Sequence, residues 1–174
     1  MNVVMSWKRA LFGGVAALVV AGAAAGALYG AQGKPAAKGQ GKPAPKAAAA
    51  APVMTVYKTP TCGCCKSWVE HVQAHGYRVA VRDTADVGPV KAMLGVPRQL
   101  GSCHTAVIGG YVVEGHVPAE LIDKLLRERP RIAGIAVPGM PVGSPGMEVP
   151  GRTPDHYDVL SFDRAGKVAV YARR

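Results

Sequence analysis

The sequence predicts a domain of the α/β class, with elements in the order β-α-β-α-β-β-α. Three observations favour this order. Short β-branched runs such as Val53–Tyr57 alternate with segments of helical period, the first of which starts at Lys66. Gly109-Gly110 separates two apolar runs, as is typical of a two-residue hairpin turn. Neither a repeat nor a second linker interrupts residues 53–174, so we expect one core.

The first half of the domain contains two predicted strands and two predicted helices. Trp68, Val69 and Val72 fall on one side of the first helix, and Gly76 lies where a helix end favours a left-handed residue. The elements are the strand Val53–Tyr57, the helix from Lys66 to Gly76, the strand Tyr77–Arg82 and a short helix over Val87–Leu94.

The second half begins with the hairpin and ends with a predicted extension. Pro118 opens a helix with one apolar stripe, and Pro130 ends it. A loop rich in Pro and Gly over Val137–Met147 excludes regular structure, and a hairpin of two short strands, Tyr157–Phe162 and Lys167–Tyr171, closes the domain. The strands of the first hairpin are Thr105–Ile108 and Tyr111–Glu114. This order, with a Cys pair after the first strand, is that of a thioredoxin-like domain.

The amino-terminal segment has the features of a targeting signal and is not expected to belong to the folded domain. Residues 1–31 have a short basic lead and an uncharged run with small residues at its far end, which favours a cleaved signal peptide over a membrane anchor. Residues 32–52 are rich in Ala, Pro and Lys and form a predicted linker to the domain at residues 53–174. We therefore expect export, with a bacterial periplasm as the destination.

The net charge of +10 at first suggests a nucleic-acid or membrane partner. Six of the 21 basic residues precede Val53, which leaves 15 basic against 11 acidic residues and a net charge of +4 in the domain. The domain has no basic stripe with interleaved aromatic residues, so we expect no nucleic-acid binding. The lysines of the linker could contact an anionic membrane surface.

Three of the four cysteines lie together at Cys62, Cys64 and Cys65, and the fourth is Cys103. A purely structural disulfide set fits poorly, because this spacing offers no useful covalent link between distant segments. A thiol-disulfide oxidoreductase would use Cys62 as the attacking thiolate and Cys65 as the resolving thiol, at a helix N-terminus that favours thiolate. Cys64 would compete with that pair. A thiolate metal site uses all four sulfurs as ligands, and in an exported protein copper is favoured over zinc as the bound metal.

Methionine and histidine residues are further candidate ligands beside the cysteines. Met140 and Met147 lie in the Pro/Gly loop as further candidate Cu(I) ligands, although methionine also fills gaps in a core. His104, next to Cys103, is a third candidate. No metal role is expected for three further pairs of residues. His71 and His75 fit a solvated helix face, His116 and His156 have no partner in sequence, and Tyr57 and Trp68 fit the core.

Four segments together resemble the CopG-type copper-resistance proteins, an exported, thioredoxin-like, metal-binding family. They are Thr59–Cys65, Ser102–Thr105, Gly110–Pro118 and the loop from Gly139-Met140-Pro141 through Gly146-Met147. The resemblance covers residues 54–171. It implies that Cys62, Cys64, Cys65 and Cys103 bind a multicopper cluster, and it leaves open whether the protein stores, transfers or changes the oxidation state of copper.

The sequence therefore predicts an exported protein that binds Cu(I) and contributes to copper tolerance, rather than an enzyme with a catalytic residue set. Its expected partners are copper ions and other periplasmic copper-handling proteins. The alternative is a thiol-disulfide oxidoreductase using Cys62 and Cys65. A tethered interaction module, whose function would need no cysteine, is a third class.

Overall fold

A computed structural model describes residues 52–174 of the chain. The predicted signal segment, residues 1–31, and residues 32–51 of the predicted linker lie outside the described residues. Within residues 52–174, no helix is both long enough and apolar enough to cross a membrane.

The described residues form seven strands, three α-helices and one 3-10 turn, in an order that matches the prediction through the third helix. The strands are β1 (Met54–Lys58), β2 (Val79–Asp83), β3 (Thr105–Ile108), β4 (Tyr111–Glu114), β5 (Gly134–Ala136), β6 (Asp158–Phe162) and β7 (Val168–Arg173). The helices are α1 (Gly63–Ala74), α2 (Gly88–Met93) and α3 (Ala119–Glu128), and a 3-10 helix covers Arg98–Leu100. The predicted α/β class is thus observed.

All seven strands belong to one mixed sheet with the order β2-β1-β3-β4-β5-β6-β7. β1 and β2 are parallel, as the intervening α1 requires, and β4 and β5 are parallel across α3. The remaining neighbours are antiparallel. The C-terminal hairpin, β6 and β7, extends this same sheet through β5.

The core has two parts, one on each face of the sheet. Val112 and Val113 are neighbours on β4, and their side chains belong to different clusters because alternate strand residues face opposite sides. α1 and α3 contribute Trp68, Val72, Ile122 and Leu125 to the larger cluster. The 3-10 helix contributes Leu100 to the smaller one, beside Phe162 of β6.

Two strands differ from the predicted elements. β5 was not predicted, because a three-residue strand next to a Pro/Gly-rich loop has too little length to show a period. β2 begins at Val79 rather than Tyr77, since the Tyr77 backbone N–H donates to the Val72 carbonyl at the end of α1 instead of joining the sheet. Trp68 is fully buried as expected, and its Nε1 donates to the Val117 carbonyl at 2.9 Å.

Candidate metal centre

The cysteine cluster forms the first turn of α1. Cys62 is the N-cap residue with an extended backbone, and its sulfur accepts a hydrogen bond from the Cys65 backbone N–H at 3.3 Å. Sulfur here takes the place of the oxygen that Ser, Thr, Asp or Asn would supply to the unpaired N–H groups of a helix start. The turn therefore holds the sulfurs close to the C-terminal end of β1.

Cys62 and Cys65 are joined by a disulfide in this structure. This is the pair that the oxidoreductase alternative requires. Cys64 and Cys103 remain free thiols. The structure thus shows the state in which two of the four sulfurs are oxidised to a disulfide.

The fourth sulfur reaches the cluster from the loop before β3. Cys64 Sγ lies 3.6 Å from Cys62 Sγ and 3.9 Å from Cys103 Sγ. All four sulfurs lie within 4.8 Å of one another. The four predicted metal-site cysteines are therefore together in space, from two segments that are 39 residues apart.

His116 is a further residue of this centre, and its position follows from the register of the β3–β4 hairpin. The Gly109-Gly110 turn pairs Thr105 with Glu114. Continuing this register two residues before Thr105 and two residues after Glu114 places Cys103 opposite His116. Between them, the Gly115 N–H donates to the His104 carbonyl at 3.0 Å. The resulting distance from Cys103 Sγ to His116 Nε2 is 3.0 Å.

The tautomer of His116 is set by the Pro/Gly loop. Its Nδ1 lies 2.8 Å from the Pro145 carbonyl, which can only accept a hydrogen bond. Nδ1 therefore carries the proton, and the lone pair on Nε2 faces the Cys103 sulfur. A backbone carbonyl that fixes the second nitrogen in this way is the usual support of a metal-ligating histidine.

His104 is fully buried between Trp68 and His116. Its Nδ1 lies 3.3 Å from Cys103 Sγ, while its Nε2 has no hydrogen-bond partner among the described residues. Burial, and then the charges of His116 and Lys91, hold the pKa of His104 well below its usual range. Burial likewise lowers the pKa of His116, so both rings are neutral at pH 7.

Cys103 is not an activated nucleophile. Burial, followed by the neighbouring Cys64, raises the pKa of its thiol to about 12. Because the thiol and both imidazoles favour their neutral forms, the group is an uncharged set of soft and nitrogen donors rather than a thiolate–imidazolium pair. A metal cation could displace the thiol proton, and the thiolate formed would then balance part of the cation's charge.

A buried carboxylate holds the segment that carries Cys103. Glu114 is 0% exposed. It accepts hydrogen bonds from the Ser102 backbone N–H at 2.6 Å and from Thr105 Oγ1 at 2.7 Å, and it pairs with Lys91 Nζ at 2.5 Å. Burial raises the pKa of Glu114, and the charge of Lys91 opposes that rise. This network fixes the backbone directly before Cys103.

The Pro/Gly loop packs on the first turn of α1. A Cβ placed on Gly146 would lie 2.9 Å from the Cys64 carbonyl oxygen, so only glycine allows this approach. Met140 in the same loop is 52% exposed. Met147 is partly buried, and its backbone N–H and carbonyl bond within the loop to Ser144 and Gly143. The two methionines stay candidate ligands.

The sequence interpretation was wrong about His116, which has a partner in Cys103. His71 is also not simply solvated, because its Nε2 accepts the Ala119 backbone N–H at 3.2 Å at the start of α3. His75 is exposed as expected. The hairpin register held the signal for His116, since a two-residue turn at Gly109-Gly110 already pairs positions 103 and 116.

Comparisons with known proteins place the chain in a family. The model of the family DUF411, described as a protein of unknown function, matches residues 100–147. No curated protein matches the chain. Two solved structures titled "Copper resistance protein copG" are similar: Form 2 at 50% identity and TM-score 0.67, and Form 1 at 51% identity and TM-score 0.66. Each match covers 71% of this chain and 98% of the solved chain. The chain therefore belongs to the CopG copper resistance protein family.

Proposed function

We propose that this protein binds Cu(I) through the thiolates of Cys62, Cys64, Cys65 and Cys103 and thereby contributes to copper tolerance. One observation carries the proposal: four sulfurs from two distant segments lie within 4.8 Å of one another. Reduction of the Cys62–Cys65 disulfide would make all four available as ligands. Thiolates are soft ligands, and they bind Cu(I) in preference to hard cations.

The arrangement favours more than one metal ion. Cys64 and Cys65 are consecutive residues of α1, so their side chains diverge by roughly 100° around the helix axis. Thiolates that leave the helix in different directions can each bind a different Cu(I) ion. Sulfurs that bridge several Cu(I) ions satisfy both directions.

Zinc is the main competing metal, because four thiolates also suit a tetrahedral zinc ion. The solved relatives, which are titled as copper resistance proteins, favour copper. We also propose that the protein works in an exported setting such as the periplasm, as the amino-terminal sequence predicts. In that setting copper and other copper-handling proteins would be its partners.

Anaerobic metal loading tests this proposal. The reduced protein is titrated with Cu(I), and the copper content per chain is measured after desalting. We expect more than one copper ion per chain in the wild type. Zinc alone, or no metal, would contradict the proposal.

Single substitutions show which sulfurs bind. Cys64→Ser and Cys103→Ser should each reduce the copper content, because each removes one of the four clustered sulfurs. Ser67→Ala is the matched control: Ser67 is exposed on α1 and bonds only to the Gly63 carbonyl at 3.4 Å. Equal copper contents in Cys64→Ser and the wild type would count against the cluster.

The Cys62–Cys65 disulfide supports a second candidate function, thiol-disulfide exchange. That function needs only the two paired sulfurs. Cys64→Ser should then retain the reduction of a substrate disulfide such as that of insulin, whereas Cys65→Ser should abolish it. Loss of copper without loss of such activity in Cys64→Ser would show that copper binding needs Cys64 and thiol-disulfide exchange does not.

A further inference from the structure

Cys103 belongs to two groups of candidate ligands, and only one of them includes the Cys62–Cys65 pair. The second group is Cys103, His104 and His116, whose ligand atoms also lie within 4.8 Å of one another. We propose that these three residues form a separate subsite that binds a single copper ion while Cys62 and Cys65 are joined in a disulfide. This deepens the proposed copper-binding function and rests on it.

The distances within the subsite suit one metal ion. Cys103 Sγ lies 3.0 Å from His116 Nε2 and 3.3 Å from His104 Nδ1. With metal bonds of about 2.3 Å to sulfur and about 2.0 Å to nitrogen, a tetrahedral angle separates the two donors by roughly 3.6 Å. A widening of about 0.3 Å at His104 and about 0.6 Å at His116 therefore converts the hydrogen-bonded set into a coordinating one.

Each histidine shows a separate sign of a ligand. His116 Nδ1 is anchored on the Pro145 carbonyl, which directs a lone pair toward Cys103. His104 is fully buried, and its Nδ1 lies 3.3 Å from Cys103 Sγ. Coordination through Nδ1 would leave the proton of the neutral ring on Nε2.

The subsite does not depend on the redox state of the dithiol. Oxidation of Cys62 and Cys65 removes both as thiolate ligands, but it leaves the Cys103 thiol and both imidazoles unchanged. His104 directly precedes β3 and His116 follows β4, and the Glu114 network holds these ends of the hairpin in place. One sulfur with two nitrogens is a donor set that suits copper in either oxidation state.

The experiment uses the full chain with Cys64→Ser and an intact Cys62–Cys65 disulfide, verified by mass spectrometry before and after loading. Cys103 is then the only free thiol. After titration with Cu(I), we expect about one copper ion per chain, and X-ray absorption should show both sulfur and nitrogen neighbours at the distances of such bonds. A copper content no higher than that of a Cys64→Ser/Cys103→Ser protein would overturn the proposal.

Histidine substitutions in the same background give the second arm. His116→Gln should weaken Cu(I) binding by at least about 10-fold, because it removes a ligand rather than a supporting residue. His75→Gln is the matched control, since His75 is an exposed histidine of α1 and should leave binding unchanged. Equal affinities for His116→Gln and His75→Gln would contradict a role for His116.

A variant that cannot form the disulfide tests whether copper binding at Cys103 is independent of the dithiol. Cys62→Ser/Cys64→Ser/Cys65→Ser keeps only Cys103, and it too should bind about one copper ion. The results distinguish the failure of this proposal from the failure of the proposed function. If the reduced wild type binds several copper ions and the disulfide form binds none, only the subsite is rejected. A reduced wild type limited to one ion, lost in His116→Gln, rejects only the four-sulfur cluster.

Discussion

Glu114 is a single buried carboxylate on which the position of Cys103 depends. Removal of its charge leaves Lys91 Nζ, whose side chain is 15% exposed, without its partner and frees the Ser102 backbone N–H. Breaking a buried ion pair from one side costs about 3–5 kcal/mol. We expect Glu114→Ala to lower the free energy of unfolding by about 3 kcal/mol, measured by urea denaturation of the metal-free protein.

Two control variants test whether this loss of stability comes from the buried ion pair. Glu128→Ala breaks the exposed Lys124–Glu128 pair of α3 and should change stability by at most about 0.5 kcal/mol. Lys91→Met/Glu114→Gln removes both charges and should be more stable than Glu114→Ala, because no uncompensated charge remains buried. If Glu114→Ala were as stable as Glu128→Ala, the network would not hold the Cys103 segment.

The buried histidines make stability depend on pH. Burial lowers the pKa of His104 and of His116, whereas in the unfolded chain each titrates near its ordinary pKa of 6.5. The unfolded state therefore binds more protons below that pH, and stability falls as pH falls. Each histidine that stays neutral contributes a slope approaching about 1.4 kcal/mol per pH unit below pH 6.5.

Urea denaturation of metal-free protein between pH 7.5 and 5 checks this slope. His116→Gln should make the curve less steep below about pH 6.5, since one of the suppressed protonations is gone. His75→Gln, at an exposed site, should leave the slope of the wild type. A slope that is identical in both variants would show that His116 does not contribute to the acid sensitivity.

At the scale of an element, the Pro/Gly loop is shaped by close contacts to α1. Gly146 has φ +81°, and a Cβ there would lie 2.7 Å from the Trp68 backbone nitrogen. Gly146→Ala therefore adds left-handed strain of about 1–2 kcal/mol and a clash of about 1–3 kcal/mol. We expect a lower free energy of unfolding and weaker copper binding, because Pro145, next to it, anchors His116.

Gly139 offers a matched control in the same loop. It also has a left-handed φ, of +68°, but a Cβ there meets nothing within 4 Å. Gly139→Ala should show only the strain, and its copper affinity should equal that of the wild type. Equal losses in the two variants, compared by urea denaturation and Cu(I) titration, would mean that the contact with α1 has no role.

The sequence was sufficient for the elements with a clear period or turn. The β3–β4 hairpin follows from Gly109-Gly110, and α3 follows from its apolar stripe between Pro118 and Pro130. β5 was missed because three residues show no period, and its strand character comes from pairing with β4 and β6. Local sequence cannot express such pairing, which depends on the rest of the sheet.

The same limit applies to the candidate site. The spacing of Cys62, Cys64 and Cys65 predicted a cluster, and their proximity to Cys103 is observed. The role of Lys91 was not predictable, because it reaches Glu114 across 23 residues and through tertiary packing alone. His116 was within reach of prediction, since hairpin register carries information beyond the ends of the strands.

At the scale of the whole molecule, the site brings together three segments that are distant in sequence. α1, the Cys103 segment and the Pro/Gly loop meet at one end of the sheet, and each contributes groups to the centre. A ligand that binds only this assembled arrangement stabilises the folded state by mass action. The disulfide links only Cys62 and Cys65 within one turn, so it cannot join the three segments.

Copper should therefore stabilise the reduced protein as a whole. At free Cu(I) about 1,000-fold above the dissociation constant, the expected gain is about 4 kcal/mol in the free energy of unfolding. The Tm of the reduced wild type should rise on loading and return after a Cu(I) chelator is added. Cys103→Ser should gain much less, because Cys103 is the only ligand shared by both donor sets. Stabilisation of Cys103→Ser equal to that of the wild type would place the copper on α1 alone and remove the link between the three segments.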